Sequence, residues 1–168
     1  KTAGTAVITA TSAAGKTAQY KLTVKTPSVK LNASAKTLYV KGTPATVTLK
    51  ATTAGVTGKV TNTSRKPSVA AVAANGKVTA KAAGTAVITA TSAAGKTAQY
   101  KLTVKTPSVK LNVSAKTLYV KGSPATVTLK TTTAGVTGKV TYTSSKSSVA
   151  SVDAKGKVTA ASAGTAVI

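Results

Sequence analysis

The chain has 168 residues with 24 Lys and Arg against a single acidic residue, Asp153, for a formal net charge of +23. It contains no Cys and no His, which excludes a disulfide framework, thiol chemistry and an ordinary metal shell. With no Glu and one Asp there is no carboxylate pair and no catalytic triad, so the chain is expected to be no enzyme and to carry no cofactor.

The apolar residues are mostly Ala and Val. Phe, Trp and Met are absent and five Tyr supply the only bulk, so each core must be thin. The stretch GTAVITATSAAGKTAQYKLTVKTPSVKLN, Gly4 to Asn32, recurs without change from Gly84 to Asn112, and a third copy begins at Gly164. About ten of the 80 aligned positions differ between copies. A fixed period of this kind marks a tandem array. Residues 1–25 read as the C-terminal strands of a preceding module, 28–105 as a complete module, and 108–168 as a module lacking its last strands.

In chain order, Val29 to Ser34 and Thr37 to Val40 are the first predicted strands of the complete module. In Ala45 to Thr52, Ala45, Val47, Leu49 and Ala51 share one face and Thr46, Thr48, Lys50 and Thr52 the other, the period of a half-buried strand. Strands follow near Lys59 to Thr63, Val69 to Val72, Lys77 to Ala80, Thr85 to Ser92 and Thr97 to Val104. The last of these turns Tyr100, and in the other copy Tyr20, inward. Gly-containing turns separate the strands, Asn75-Gly76 being the strongest hairpin signal. No segment has an apolar stripe at helical spacing. Short strands at about ten-residue spacing indicate an all-β chain of tandem antiparallel sandwiches. The connectors Lys25-Thr26-Pro27-Ser28 and Lys105-Thr106-Pro107-Ser108 are short, with φ fixed at the proline, and predict a semi-rigid rod.

Ser68 to Thr91 reads SVAAVAANGKVTAKAAGTAVITAT. With Leu38-Tyr39-Val40-Lys41-Gly42 before it, this resembles the bacterial Ig-like group 2 module: a Ser-Val-Ala-x-Val stretch, a Gly-x-Val-Thr-Ala turn and strand, then Ala-Gly-Thr-Ala-x-Ile-Thr-Ala. The resemblance implies tandem immunoglobulin-like sandwiches of a bacterial surface or secreted protein, in a non-catalytic stalk or fibre or as part of an adhesin. The aromatic residue that the family places before its Ser-rich turn is Asn62 in one copy and Tyr142 in the other.

Two motifs imitate chemistry. Ala10 to Thr17 and its repeat Ala90 to Thr97 fit a relaxed phosphate-loop pattern, but a phosphate loop leads from a strand into a helix, and both flanks here read as strands. The sequons at Asn32, Asn62 and Asn112 follow from a composition rich in Ser, Thr and Asn.

Differences between copies cluster in 62–75 and 142–155, a turn-rich region. Asn62, Arg65 and Lys66, with Tyr142, Lys146 and Lys155, form the candidate interaction patch, since loops carry recognition while strands carry the fold. The expected partners are neighbouring Ig-like modules or copies of the chain, joined head to tail if N-terminal strands complete a C-terminal module. Anionic surface polymers such as teichoic acid, lipopolysaccharide or extracellular DNA are the alternative. Specific nucleic-acid recognition is not expected, because no groove-reading element accompanies the charge. No apolar run is long enough to span a bilayer.

Overall fold

The computed structural model describes residues 2–168, and no helix occurs among them. Accordingly, no helix is long and apolar enough to cross a membrane. The chain divides into two units. One comprises residues up to Leu38 together with Thr46–Lys105; the other comprises Tyr39–Ala45 and Thr106–Ile168.

The first unit opens with β1 (Gly4–Thr11) and β2 (Thr17–Val24), an antiparallel hairpin that pairs with no further strand and is exposed along its whole length. Then come β3 (Ser28–Leu31), β4 (Ala35–Tyr39), β5 (Thr46–Thr48), β6 (Ala51–Ala54), β7 (Thr61–Ser64), β8 (Ala70–Val72), β9 (Lys77–Ala80), β10 (Gly84–Thr91) and β11 (Thr97–Lys105). They form a four-stranded sheet in the order β4-β11-β10-β7, a three-stranded sheet β5-β9-β8 and the pair β3-β6. Side chains from both larger sheets make the core: Leu38 of β4, Ala86, Ile88 and Ala90 of β10, Tyr100, Leu102 and Val104 of β11, and Ala70 and Val78 of β8 and β9. Alternate residues of β10 and β11 are buried, as period-two patterning requires.

The predicted strand Ala45 to Thr52 breaks in two. β5 pairs with β9, whereas β6 pairs with β3. At the break the Leu49 N–H donates to the Gly76 carbonyl (2.9 Å), while the Asn32 N–H donates to the Lys50 carbonyl (3.0 Å) and the Lys50 N–H to Asn32 Oδ1 (3.0 Å). The chain thereby changes sheets around the buried Leu49. Asn32 is thus a corner piece, and Asn112 repeats its role with a bond from the Lys130 N–H at 2.8 Å.

Asn75-Gly76 lies in a hairpin, as predicted, but the loop is longer than a two-residue turn. The Gly76 N–H donates to the Ala73 carbonyl and the Ala73 N–H to the Lys77 carbonyl, both at 2.9 Å. Gly76 takes φ 81°, the left-handed position that such a loop assigns to glycine. The Ser92 to Lys96 turn has the same bonds and joins β10 to β11, so the phosphate-loop imitation is a strand-to-strand hairpin.

The second unit holds β12 (Ser108–Leu111), β13 (Thr126–Thr128), β14 (Thr131–Ala134), β15 (Ala150–Val152) and β16 (Lys157–Ala160). The pair β12-β14 and the sheet β13-β16-β15 repeat β3-β6 and β5-β9-β8 register for register. The four-stranded sheet has no counterpart. Residues 115–119 have the sequence of β4, and residues 141–144 differ from β7 only by Tyr142 for Asn62, yet neither stretch is a strand. A strand exists only as one side of a ladder, and neither stretch has a ladder partner among the described residues.

Candidate functional site

The turn-region residues fall into three groups. Asn62 and Tyr142 are half-buried and point into their units. The Tyr142 hydroxyl lies 3.5 Å from the Leu129 carbonyl and 3.4 Å from Thr131 Oγ1. In the first unit the position of Thr131 is Ala51, and Asn62 Oδ1 is buried with no hydrogen-bond partner. The aromatic and the hydroxyl therefore come as a pair, which reading the two copies for surface differences missed; Ala51 against Thr131 was the visible signal.

Arg65, Lys66 and Lys146 are exposed on the loop that follows Ser64 in the first unit and Ser144 in the second. That loop is a tight turn in both copies: the Lys66 carbonyl accepts from the N–H groups of Val69 and Ala70, and the Lys146 carbonyl from those of Val149 and Ala150, all at 3.0 Å. Lys155 is exposed on the next turn, at the other end of the short strand β15. There Asp153 Oδ1 accepts from the N–H groups of Lys155 (2.8 Å) and Lys157 (2.9 Å). The Lys157 bond, more than the neighbouring ammonium groups, holds this carboxyl below the ordinary value of 3.8. Among the described residues no group of three or more His, Cys, Asp or Glu is placed to hold a metal.

A second feature is larger. In unit 2 Leu111, Leu118, Val127, Leu129, Val158 and Val167 line an open groove of about 480 Å³. Leu118 is half-buried where its counterpart Leu38 is fully buried. The groove lies where β10 and β11 would close the unit. Its one occupied part is the start of that position: the Ser145 N–H donates to the Val167 carbonyl (2.8 Å) as the Arg65 N–H donates to that of Val87 (3.0 Å). Conversely β1-β2 has the sequence of β10-β11 and no groove. Tyr20 is 63% exposed against 0% for Tyr100, and Ile8 54% against 0% for Ile88, so of the two copies only β10-β11 packs this face against a core among the described residues. The alternation is right, but the face meets nothing.

Residues 44–94 match the family described as the intimin immunoglobulin-like domain, and residues 105–168 match the bacterial Ig-like domain (group 2). A comparison with curated proteins found no match. Among solved structures, the chain is similar to intimin in a complex with Tir90, at 25% identity over 51% of this chain and 50% of that one, with a TM-score of 0.40. It is also similar to an intimin mutant of EHEC O157:H7, at 24% identity over 53% and 51%, with a TM-score of 0.38. Domains 1–6 of the surface layer protein SbsC match at 18% identity over 98% of this chain and 32% of that one, with a TM-score of 0.47. The chain thus spans about half the length of the intimin chains and about a third of that of SbsC. With its repeated all-β units and these two matches, the chain is built of immunoglobulin-like domains, similar to the bacterial group 2 domain over residues 105–168.

Proposed function

We propose that the chain is a non-catalytic structural segment of a bacterial extracellular stalk or fibre built from tandem Ig-like modules, as part of an adhesin. The observation that carries this reading is the near-exact repetition of a bacterial Ig-like unit along the chain. Support comes from the short Pro-containing connector at Lys105 to Ser108 and from the intimin-type family match. Intimin appears in a complex with a translocated receptor, and an adhesive role for this chain's parent protein would be of that class. The test is electron microscopy of the unfragmented protein at physiological salt. Slender projections or filaments with an axial repeat of one or two modules are expected; compact particles would overturn the reading.

The charge favours a second reading, in which the basic faces grip an anionic surface polymer. Arg65, Lys66, Lys146 and Lys155 would contribute from the turns. Attraction of this kind is screened by salt. If charge alone acts, binding to teichoic acid or DNA is lost by about 0.5 M salt. Binding that survives would assign the turn region a specific ligand.

A further inference from the structure

The chain has four asparagines, and the fold treats one of them differently. Asn32 and Asn112 are pinned at corners, where each Oδ1 accepts a backbone N–H, from Lys50 (3.0 Å) and from Lys130 (2.8 Å), and they are followed by Ala33 and Val113. Asn62 lies inside the β7 ladder and is followed by the β-branched Thr63. Asn75 stands exposed in the loop of the β8-β9 hairpin, and the next residue is Gly76. Glycine has no side chain to shield its amide nitrogen, so that nitrogen can reach the side-chain carbonyl of the residue before it.

We infer that Asn75 is a site of spontaneous deamidation, and that one of its two products unlocks the first unit's sheet-switching corner. The Gly76 amide nitrogen gives its proton to hydroxide and attacks Cγ of Asn75. Nδ2 takes up a proton from water and leaves as ammonia, and a cyclic succinimide forms. Water then opens the ring at either carbonyl, giving aspartate with the original main chain or isoaspartate with one extra methylene in it. Two features favour the attack. The Lys77 N–H donates to Asn75 Oδ1 at 3.0 Å, which polarises the carbonyl and stabilises the negative oxygen that develops on it. The net charge of +23 enriches hydroxide around the chain. One feature restrains it: the Gly76 N–H is bonded to the Ala73 carbonyl at 2.9 Å, and this bond must open first.

The two products differ in what they do to the fold. Gly76 is buried, its carbonyl accepts the Leu49 N–H at 2.9 Å, and a Cβ added to it would fall against the Leu49 carbonyl oxygen. Leu49 is the point where the chain passes from β5 to β6. Aspartate leaves this arrangement whole and offers a carboxylate oxygen to the Lys77 N–H. Isoaspartate lengthens the main chain immediately before Gly76, where the backbone of Leu49 leaves no space to absorb it, and the Leu49 bond is lost. The second unit builds the same corner, with the Leu129 N–H donating to the Gly156 carbonyl at 2.8 Å. Lys155 precedes Gly156 there, so that corner cannot age by this route. The chain therefore carries in one unit a slow, one-way loosening that the other lacks.

The test is to hold the full, folded chain in mildly alkaline buffer for weeks and follow it by tryptic mass mapping, with enzymatic methylation to count isoaspartate. The peptide from Lys66 to Lys77 is expected to exchange NH for O in its mass, faster as pH rises, while the peptides carrying Asn32, Asn62 and Asn112 stay unchanged. Hydrogen exchange at the Leu49 amide should lose its protection in step with isoaspartate, and the Leu129 amide should keep its own. Asn75→Gln is expected to abolish both the mass change and the loss of protection, and Asn75→Asp to retain Leu49 protection. The inference is overturned if Asn75 stays intact in the folded chain over a period in which it converts in urea, or if another asparagine converts as fast. Isoaspartate that forms while the Leu49 amide stays protected overturns it equally.

Discussion

Tyr142 and Asn62 show how one position tunes a thin core. A buried carbonyl oxygen without a partner costs about 1–3 kcal/mol, and Asn62 Oδ1 is in that state. Replacing it by tyrosine alone would bring a hydroxyl to a site where Ala51 offers no side-chain partner. Asn62→Tyr together with Ala51→Thr copies the second unit's arrangement and is expected to stabilise the first unit by about 1–2 kcal/mol in urea denaturation. The double change should exceed the sum of the single ones, since the residues act as a pair.

Asp153 makes a different residue-scale statement. Its folded pKa is lowered, so its bonds to the turn are fully present above the unfolded value near 3.8 and are lost as pH falls through the folded value. The expected result is an acid-side transition in the amide resonances of Lys155 and Lys157, beginning below pH 3.8. The corresponding turn of the first unit, where Ala73 replaces the acid and Asn75 Oδ1 accepts from the Lys77 N–H at 3.0 Å, should show none. Asp153→Asn removes the transition while keeping an acceptor.

At the scale of the element, residues 35–39 and 115–119 are an experiment performed by the chain itself. Both read Ala-Lys-Thr-Leu-Tyr, and only the first is a strand. Propensity and alternation are equal, so the difference lies in the ladder partner. Trypsin is therefore expected to cut after Lys116 before it cuts after Lys36, because a paired backbone must open before a protease can seat it; equal rates would contradict the structure. The same contrast marks what sequence could and could not tell. Alternation located nearly every strand and placed Tyr100 in the core. It could not reveal that Asn32 breaks Ala45 to Thr52 at Leu49, because that depends on a residue 17 positions away from the break. Nor could it distinguish Tyr20 from Tyr100, whose flanking sequences are the same. Exposure is a property of what arrives from elsewhere in the fold. In the candidate patch, turn chemistry located the loops carrying Arg65, Lys66, Lys146 and Lys155, whereas the inward set of Asn62 and Tyr142 appeared only with the packing.

For the whole molecule, the net charge of +23 acts on two associations with opposite sign. It draws in polyanions, and it opposes contact between copies of the chain. Screening weakens both effects, so added salt should release an anionic polymer and at the same time reduce the repulsion between copies. A protein of this composition is kept apart from itself most strongly in dilute, low-salt solution.

The bare hairpin and the buried one also bear on how the chain reaches its fold. The first unit's groove meets two segments that its side chains cannot tell apart. Selection between them falls to connectivity: β10 follows β7 closely, and partners such as Ile88 and Ser64 stand 24 residues apart, a short loop to close. The faithful copy thus wins by proximity in time and along the chain, and the order of assembly is recorded nowhere in the chemistry of the interface.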